Sequence, residues 1–385
     1  MSRKRVLLVG GGLTSAMVAR LLRDAALAGE IELHAWDRRD TIGGRASVEH
    51  CEQTGGTAEM GLQYVTEVDG VSGEHRELYD ALERAGLLVP MHATIDGARN
   101  ADGDGPKWVA PSGFDAVTKA LFDASGAHLA LGRAVSAIER VTTSHADGHS
   151  STTWRVSSAG LSGGGDEQFD AVVLTMPVPH VLALGGAVAE ALLARPELLE
   201  GLRGVQYSSR YALALFYAPD DERAAAFFAQ LPWTCKYVPK EEDDAVVFLS
   251  KCAAKRDASE PPSLVVHSSV PFALSKLKES VDPDDATAEL LARVRALLPG
   301  LPEPVETRTT LWRLSQVRAP LESAHAAHTL ADGDAPLILA GDALSKHGSR
   351  FDGCFESAHA AASALRTGLG LRAPRGPGDA AALGA

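Results

Sequence analysis

The chain has too few cysteines for a disulfide framework. Cys51, Cys235, Cys252 and Cys354 form no CxxC pair, and none has a histidine at metal-ligand spacing. That pattern excludes zinc modules and stapled secreted scaffolds, and it predicts no metal site and a reducing, cytoplasmic setting. Long apolar runs are also missing; none approaches the ~18 residues of a membrane-spanning helix. Basic residues Arg3, Lys4 and Arg5 precede the apolar VLLV, but that run is short and ends in three glycines, so no signal peptide is expected. Positive charge is in deficit. There are 37 Lys and Arg against 50 Asp and Glu, a net charge of −13. This argues against general binding to nucleic acid or anionic membranes, while leaving room for a local basic pocket. No internal repeat is present. What remains is an ordinary globular composition, 45% hydrophobic, in 385 residues, enough for two domains.

The first 45 residues are the most informative. RVLLVG, from Arg5 to Gly10, reads as a buried parallel strand. It runs into Gly10-Gly11-Gly12-Leu13-Thr14-Ser15 and then an apolar stripe, Met17, Val18, Leu21 and Leu22, at helical spacing. A second strand, IELHAWD, ends at Asp37. Strand, glycine turn, helix, strand and terminal acid make the βαβ unit that binds adenine dinucleotides. Gly10 suits a tight turn, Gly12 lets the backbone approach a pyrophosphate, and the helix N-terminus offers free N–H groups to phosphates. Asp37 can accept hydrogen bonds from ribose hydroxyls. Ser15 stands at the position of the motif's third glycine. Gly43-Gly44-Arg45 follows directly; an arginine there can reach back to the same pyrophosphate and hold it in a bidentate fork. This continuation is typical of FAD proteins rather than simple NAD dehydrogenases.

Further along, Thr57–Thr66 reads as a short buried segment, Glu77–Leu88 as an amphipathic helix, 100–107 as a turn-rich loop, Trp108–Pro111 as a strand end and Phe114–Ser125 as a helix. His128–Val141 alternates like a β-strand pair, and Ser157–Glu167 reads as a mobile hairpin tip. FDAVVLTM, Phe169–Met176, is another buried strand. Tyr211–Tyr217, Ala245–Leu249 and Leu264–Ser269 look like an antiparallel sheet; Ala286–Leu298 is helical. PLILA, Pro336–Ala340, returns to the parallel type and ends at Gly341-Asp342. A last helix is opened by Phe351-Asp352-Gly353-Cys354. The expected fold is α/β: a Rossmann-like FAD-binding domain (1–68, 108–180, 334–372) with an inserted α+β substrate domain (69–107, 181–333) containing a mostly antiparallel sheet, and a disordered tail (373–385).

The C-terminal segment carries a second cofactor signature. Asp342, at the carboxyl end of a parallel strand, faces the ligand crevice of such a fold and can bind a cofactor hydroxyl or phosphate. The N-terminus of the last helix, at Phe351 and Gly353, can stabilise the anionic pyrimidine side of a reduced flavin.

With these residues in hand, the chain resembles the renalase family, small FAD proteins of the broader p-hydroxybenzoate hydroxylase and amine oxidase fold group. The resemblance runs from about Val6 to Leu369 through VGGG, HAWDRRDTIGGR, TAEMGLQYVT, FDAVVLTMPVP, YSSRYALALFY, PSLVVHSSVPF, LPGLPEP, WRLSQV and RFDGC. Ser15, Leu314 and the stretches near Leu161 and 222–240 depart from the family pattern, which leaves substrate details open. The resemblance implies oxidation of 2- and 6-dihydro isomers of NAD(P) to β-NAD(P)+ by hydride transfer to non-covalently bound FAD, with reoxidation by O2 to H2O2. It implies that Thr14, Arg45, Gln63 and Tyr64 contact FAD and that Val135 meets adenine through its backbone. Arg210 reads equally as an ion-pair partner or a substrate contact. His267 and Trp312 read as structural residues that could face substrate, and Cys354 raises covalent flavin attachment as a lesser option. Two other readings stay open: an amine oxidase on the same fold, and a non-catalytic signalling or binding protein that retains FAD.

Overall fold

In the computed structural model, residues 3–68, 73–97, 105–145, 150–160, 164–256 and 260–373 are described. Most of the expected loop at 100–107, the tip at 161–163 and all but Ala373 of the expected tail lie outside them.

Near-continuous Val, Ile and Leu runs form the centre of a six-stranded sheet, as strands buried on both faces must. Its order is His328–Ala331, Leu337–Leu339, Ala171–Leu174, Lys4–Val9, Ile31–Trp36, His128–Ala130. Every pairing is parallel except the one between His328–Ala331 and Leu337–Leu339. Lys4–Val9 lies between the strand that follows it and one much later in the chain, so the chain reverses direction across the sheet at its carboxyl end, where α/β sheets form their ligand crevice. The helices Leu13–Leu21, Phe114–Ser125 and Phe351–Leu369 cover one face through Met17, Val18, Leu121, Phe355 and Leu365. The other face packs on Trp154, Val156, Val188 and Leu202.

A second six-stranded sheet has the order Glu306–Trp312, Arg210–Phe216, Ser263–Ser268, Val246–Lys251, Cys235–Tyr237, Ile95–Asp96. It is antiparallel apart from its last pairing. The helix Pro283–Leu297 covers one face with Ala286, Leu290 and Val294. The opposite face meets Ala58 and Met60 through Ala212, Ala214 and Phe216.

Several expectations change. The alternating stretch 128–141 is not a pair: His128–Ala130 edges the parallel sheet, while Arg133–Ser144 pairs with Ser150–Gly160 in a separate three-stranded sheet. Alternation reports a half-buried strand without naming its partner. The expected hairpin tip 157–167 is mostly strand, since Ser150–Gly160 and Gly165–Phe169 pair up to Ser158 and Gly165. The early helix spans Gly73–Arg84, not 77–88. Segments placed in the inserted domain join the dinucleotide-binding cores instead: Tyr79 and Leu82 pack with Met17, and Val188 and Leu202 with Val172. The strand His328–Ala331 likewise belongs to the parallel sheet, before the expected boundary at 334.

Candidate active site

One cavity of about 1600 Å³ runs from the carboxyl end of the parallel sheet to the antiparallel sheet. Gly10, Gly12, Thr14, Asp37, Gly44, Arg45, Gln63, Tyr64, Val135, Asp342 and Phe351 line it, as do Arg210, His267 and Trp312. Gly353 is not in its wall. A Cβ on Gly353 would sit 2.3 Å from the Gly348 carbonyl, so this glycine serves the close packing of the last helix's first turn.

At the sheet end, the helix Leu13–Leu21 starts at Gly12 with no side-chain cap. Its first N–H groups are therefore left for a ligand. A Cβ on Gly12 would meet only the Gly43 carbonyl, at 3.8 Å, and would project into the space where phosphates would lie. Asp37 accepts from the Gly11 and Arg39 N–H groups at 2.6 and 2.7 Å. A carboxylate offers about four acceptor sites, which leaves capacity for a ribose hydroxyl. Ser15, in place of the third glycine, is fully buried, and its hydroxyl is 2.7 Å from that of Thr175, so helix and strand approach through a hydrogen bond.

Arg45 and Asp342, each expected to face cofactor, face one another. The guanidinium donates to Asp342 at 2.7 Å, and Ser349 donates to the other carboxylate oxygen at 2.8 Å. Burial works against both charges. Asp342 nevertheless outweighs it at Arg45, and Arg45 and Ser349 hold Asp342 below the usual carboxylate range. Both therefore stay ionised. Cys354 also lines the cavity. Burial pushes its thiol up to about 12, which leaves little thiolate to attack a flavin. Asp352, in the same first turn of the last helix, is buried and accepts from the Tyr79 hydroxyl at 3.2 Å.

The segment Met60–Tyr64 forms the wall between the two sheets. The Met60 carbonyl accepts two side-chain donors from the antiparallel sheet, His267 Nε2 at 3.1 Å and Trp312 Nε1 at 3.0 Å. The small Ala212 lies on the strand between those donors. Burial, with the Arg210 charge nearby, lowers the His267 pKa to about 3. The ring is neutral, and because a carbonyl only accepts, its proton is on Nε2. Arg39 stacks over Trp312, 5.0 Å from ring centre to guanidinium carbon.

Three features escaped sequence reading. The hydroxyls of Tyr64 and Tyr237 meet at 2.7 Å in the cavity wall, joining the segment Met60–Tyr64 to the antiparallel sheet. Phe248 lines the wall beside His267. Behind Gln63, the fully buried Lys255 pairs with Glu59 and donates to Gln63 Oε1 at 3.1 Å, while Gln63 Nε2 donates to the Glu59 carbonyl. Burial draws the Lys255 pKa down, but Glu59 more than reverses it, so the lysine is charged. None of these contacts has a local sequence signal. Trp233 lies in the core of the second sheet, away from the cavity lining.

Comparison with known proteins decides the family. The family model for flavin containing amine oxidoreductase matches residues 90–366, and one for an NAD(P)-binding Rossmann-like domain matches residues 8–84. Renalase of Mus musculus is 34% identical over 360 residues, covering 92% of this chain and 96% of that protein. The chain belongs to the renalase family. A solved structure from Exiguobacterium, provisionally named a protoporphyrinogen oxidase, superposes with a TM-score of 0.64 at 15% identity over 95% of this chain and 99% of that one, a likeness of fold alone.

A flavin suits the site of this renalase-family chain. An uncapped helix start beside side-chain-free glycine, an acid at the end of the second strand and a cavity larger than a drug-sized ligand needs are what a dinucleotide requires. Among the described residues no cluster of His, Cys, Asp or Glu could hold a metal ion, and no helix is long and apolar enough to cross a membrane.

Proposed function

We propose that the chain is an FAD-dependent oxidase of dihydronicotinamide dinucleotides reduced at the 2- or 6-position, returning them to β-NAD(P)+. One dihydronucleotide, one O2 and one proton give one oxidised nucleotide and one H2O2. Bound non-covalently at the glycine turn, FAD would supply the hydride acceptor and the reaction with dioxygen.

The chain's own part is binding and orientation. The helix start at Gly12 and Thr14 would receive the pyrophosphate, Asp37 the ribose, and the Val135 backbone the adenine. The Arg45–Asp342 pair and Phe351 would border the flavin ring. Tyr64, Arg210, Tyr237, Phe248, His267 and Trp312 would form the substrate side, where apolar ring faces hold a flat dihydropyridine in place. A dihydropyridine becomes aromatic when it loses hydride, so no strong base is required; a histidine held neutral well below physiological pH accords with that.

The observation that carries this reading is charge. In a protein of net charge −13, the cavity wall holds seven arginines and one lysine (Arg38, Arg39, Arg45, Arg133, Arg210, Arg313, Arg350 and Lys346) against two carboxylates, Asp37 and Asp342. The ion pair of Arg133 with Glu167 and FAD's two phosphates account for part of that excess. The remainder favours a second anionic ligand, such as a dinucleotide, over a cationic one. An amine oxidase is the second reading, supported by the family model matching residues 90–366. Against it stands the Arg210 charge in the substrate wall, which opposes an ammonium. The Tyr64–Tyr237 pair is also closed by its hydroxyls rather than open as a cage.

Steady-state oxygen uptake tests the proposal. Dihydro isomers should consume O2 with one H2O2 per nucleotide oxidised, and monoamines should give none. Turnover of amines alone would move the chain to the second reading. Silence toward both would favour a binding protein that retains FAD.

A further inference from the structure

His267 has one ring nitrogen committed and one bare. Nε2–H is held by the Met60 carbonyl at 3.1 Å, which fixes the tautomer and leaves Nδ1 as an acceptor with no partner among the described residues. The ring lies flat-tilted on Phe248 with centroids 5.6 Å apart, so it cannot turn freely. The side chain is not sealed in; it is partly exposed, and it lines the cavity. Nδ1 is open to the cavity, so a ligand that fills the cavity and buries it must bring a donor of its own. Beside it, Arg210 is anchored by a 2.9 Å bond to the Ser268 carbonyl, and its fixed positive charge disfavours a cationic donor. The partner is therefore a neutral N–H or O–H group. On the proposed substrates the ring end offers one such group, the carboxamide NH2.

We propose that His267 determines specificity by accepting a hydrogen bond at Nδ1 from the carboxamide N–H of the nicotinamide ring. The inference rests on the functional reading above and adds the group that reads the ring's substituent. His267 sits on the strand Ser263–Ser268 of the antiparallel sheet and shares the cavity with the glycine turn of the parallel sheet, so the same bond would help orient the ring in that cavity. The Met60 bond makes this acceptor obligatory, because the ring cannot offer a donor to the cavity without giving up that carbonyl.

The test uses the oxidised holoprotein and follows the flavin spectrum during titration with two probes. One is β-NAD+; the other is its 3-acetylpyridine analogue, which keeps the ring carbonyl but has a methyl group in place of NH2. The wild type should bind β-NAD+ about tenfold more tightly, the size of one neutral hydrogen bond. In His267→Phe, β-NAD+ should weaken about tenfold while the analogue is unchanged, so the preference disappears. His267→Asn, whose side-chain oxygen can accept, should recover part of it. Equal affinities in the wild type, a preference that survives in His267→Phe, or equal weakening of both probes would each overturn the inference. The wild-type comparison needs no variant to fold. Failure of the functional reading looks different: no dihydro isomer is turned over and neither probe binds. A protein that turns over the isomers but does not bind β-NAD+ would contradict the inference alone, because product and substrate share the carboxamide.

Discussion

At the scale of residues, the site is held by charges that depend on single partners. Glu59 is almost wholly buried, and the Lys255 ammonium in contact with its carboxylate is its counter-charge. Lys255→Met should therefore lower unfolding free energy by about 3–5 kcal/mol, and adding Glu59→Gln should restore much of it, as denaturant melts would read. An equal loss in single and double variants would show that the lysine's packing, not its charge, matters. His267 makes a second prediction. Folded, it takes a proton only near pH 3; unfolded, near 6.5. Between those values the unfolded chain holds the extra proton. The contribution is thus complete above about pH 6.5 and is lost at about 1.4 kcal/mol per pH unit on acidification. Burial also lowers His34, His180 and His328, so the acid limb is shared. His267→Gln should flatten the fall of melting temperature between pH 6.5 and 4 relative to wild type; an unchanged slope would place the acid sensitivity elsewhere.

At the scale of elements, turns and helix starts do what side chains do not. Gly10 has φ +130, and a Cβ there would lie 2.5 Å from the Thr175 hydroxyl. Gly10→Ala should cost about 1–3 kcal/mol and lower flavin content. Gly204, at the end of the helix Pro196–Gly204, has nothing within 4 Å of its would-be Cβ. Gly204→Ala should be neutral or gain up to ~1 kcal/mol. Thermal melts with flavin absorbance check both, and equal effects would contradict the assignment of the turn. Elements were legible in sequence where one physical signal decides them. VLLV, AVVL and LILA are short apolar runs closed by glycine or proline, as buried strands are, and the run from Gly10 to Asp37 and Arg45 is local in the chain. Pairing was not legible, because a strand's alternation does not name its neighbour; 128–141 divides between two sheets for that reason.

At the scale of the whole molecule, the site exists only once distant segments meet. Arg45 finds Asp342, Tyr64 finds Tyr237, and Met60 receives His267 and Trp312. Each pair joins one end of the chain to its middle or far end. The residues that face a dinucleotide could be read from local motifs. The residues that close the substrate side could not, since long-range contacts leave no periodicity. The central claim concerns what this assembled cavity takes. Its most direct test is anaerobic mixing of the flavin-loaded protein with 2- and 6-dihydro-NAD, with a monoamine alongside, followed in the flavin's visible band. The account predicts rapid bleaching by at least one isomer, none by the amine, and recovery with one H2O2 per flavin on admitting air. Bleaching by the amine while both isomers leave the band unchanged would contradict it.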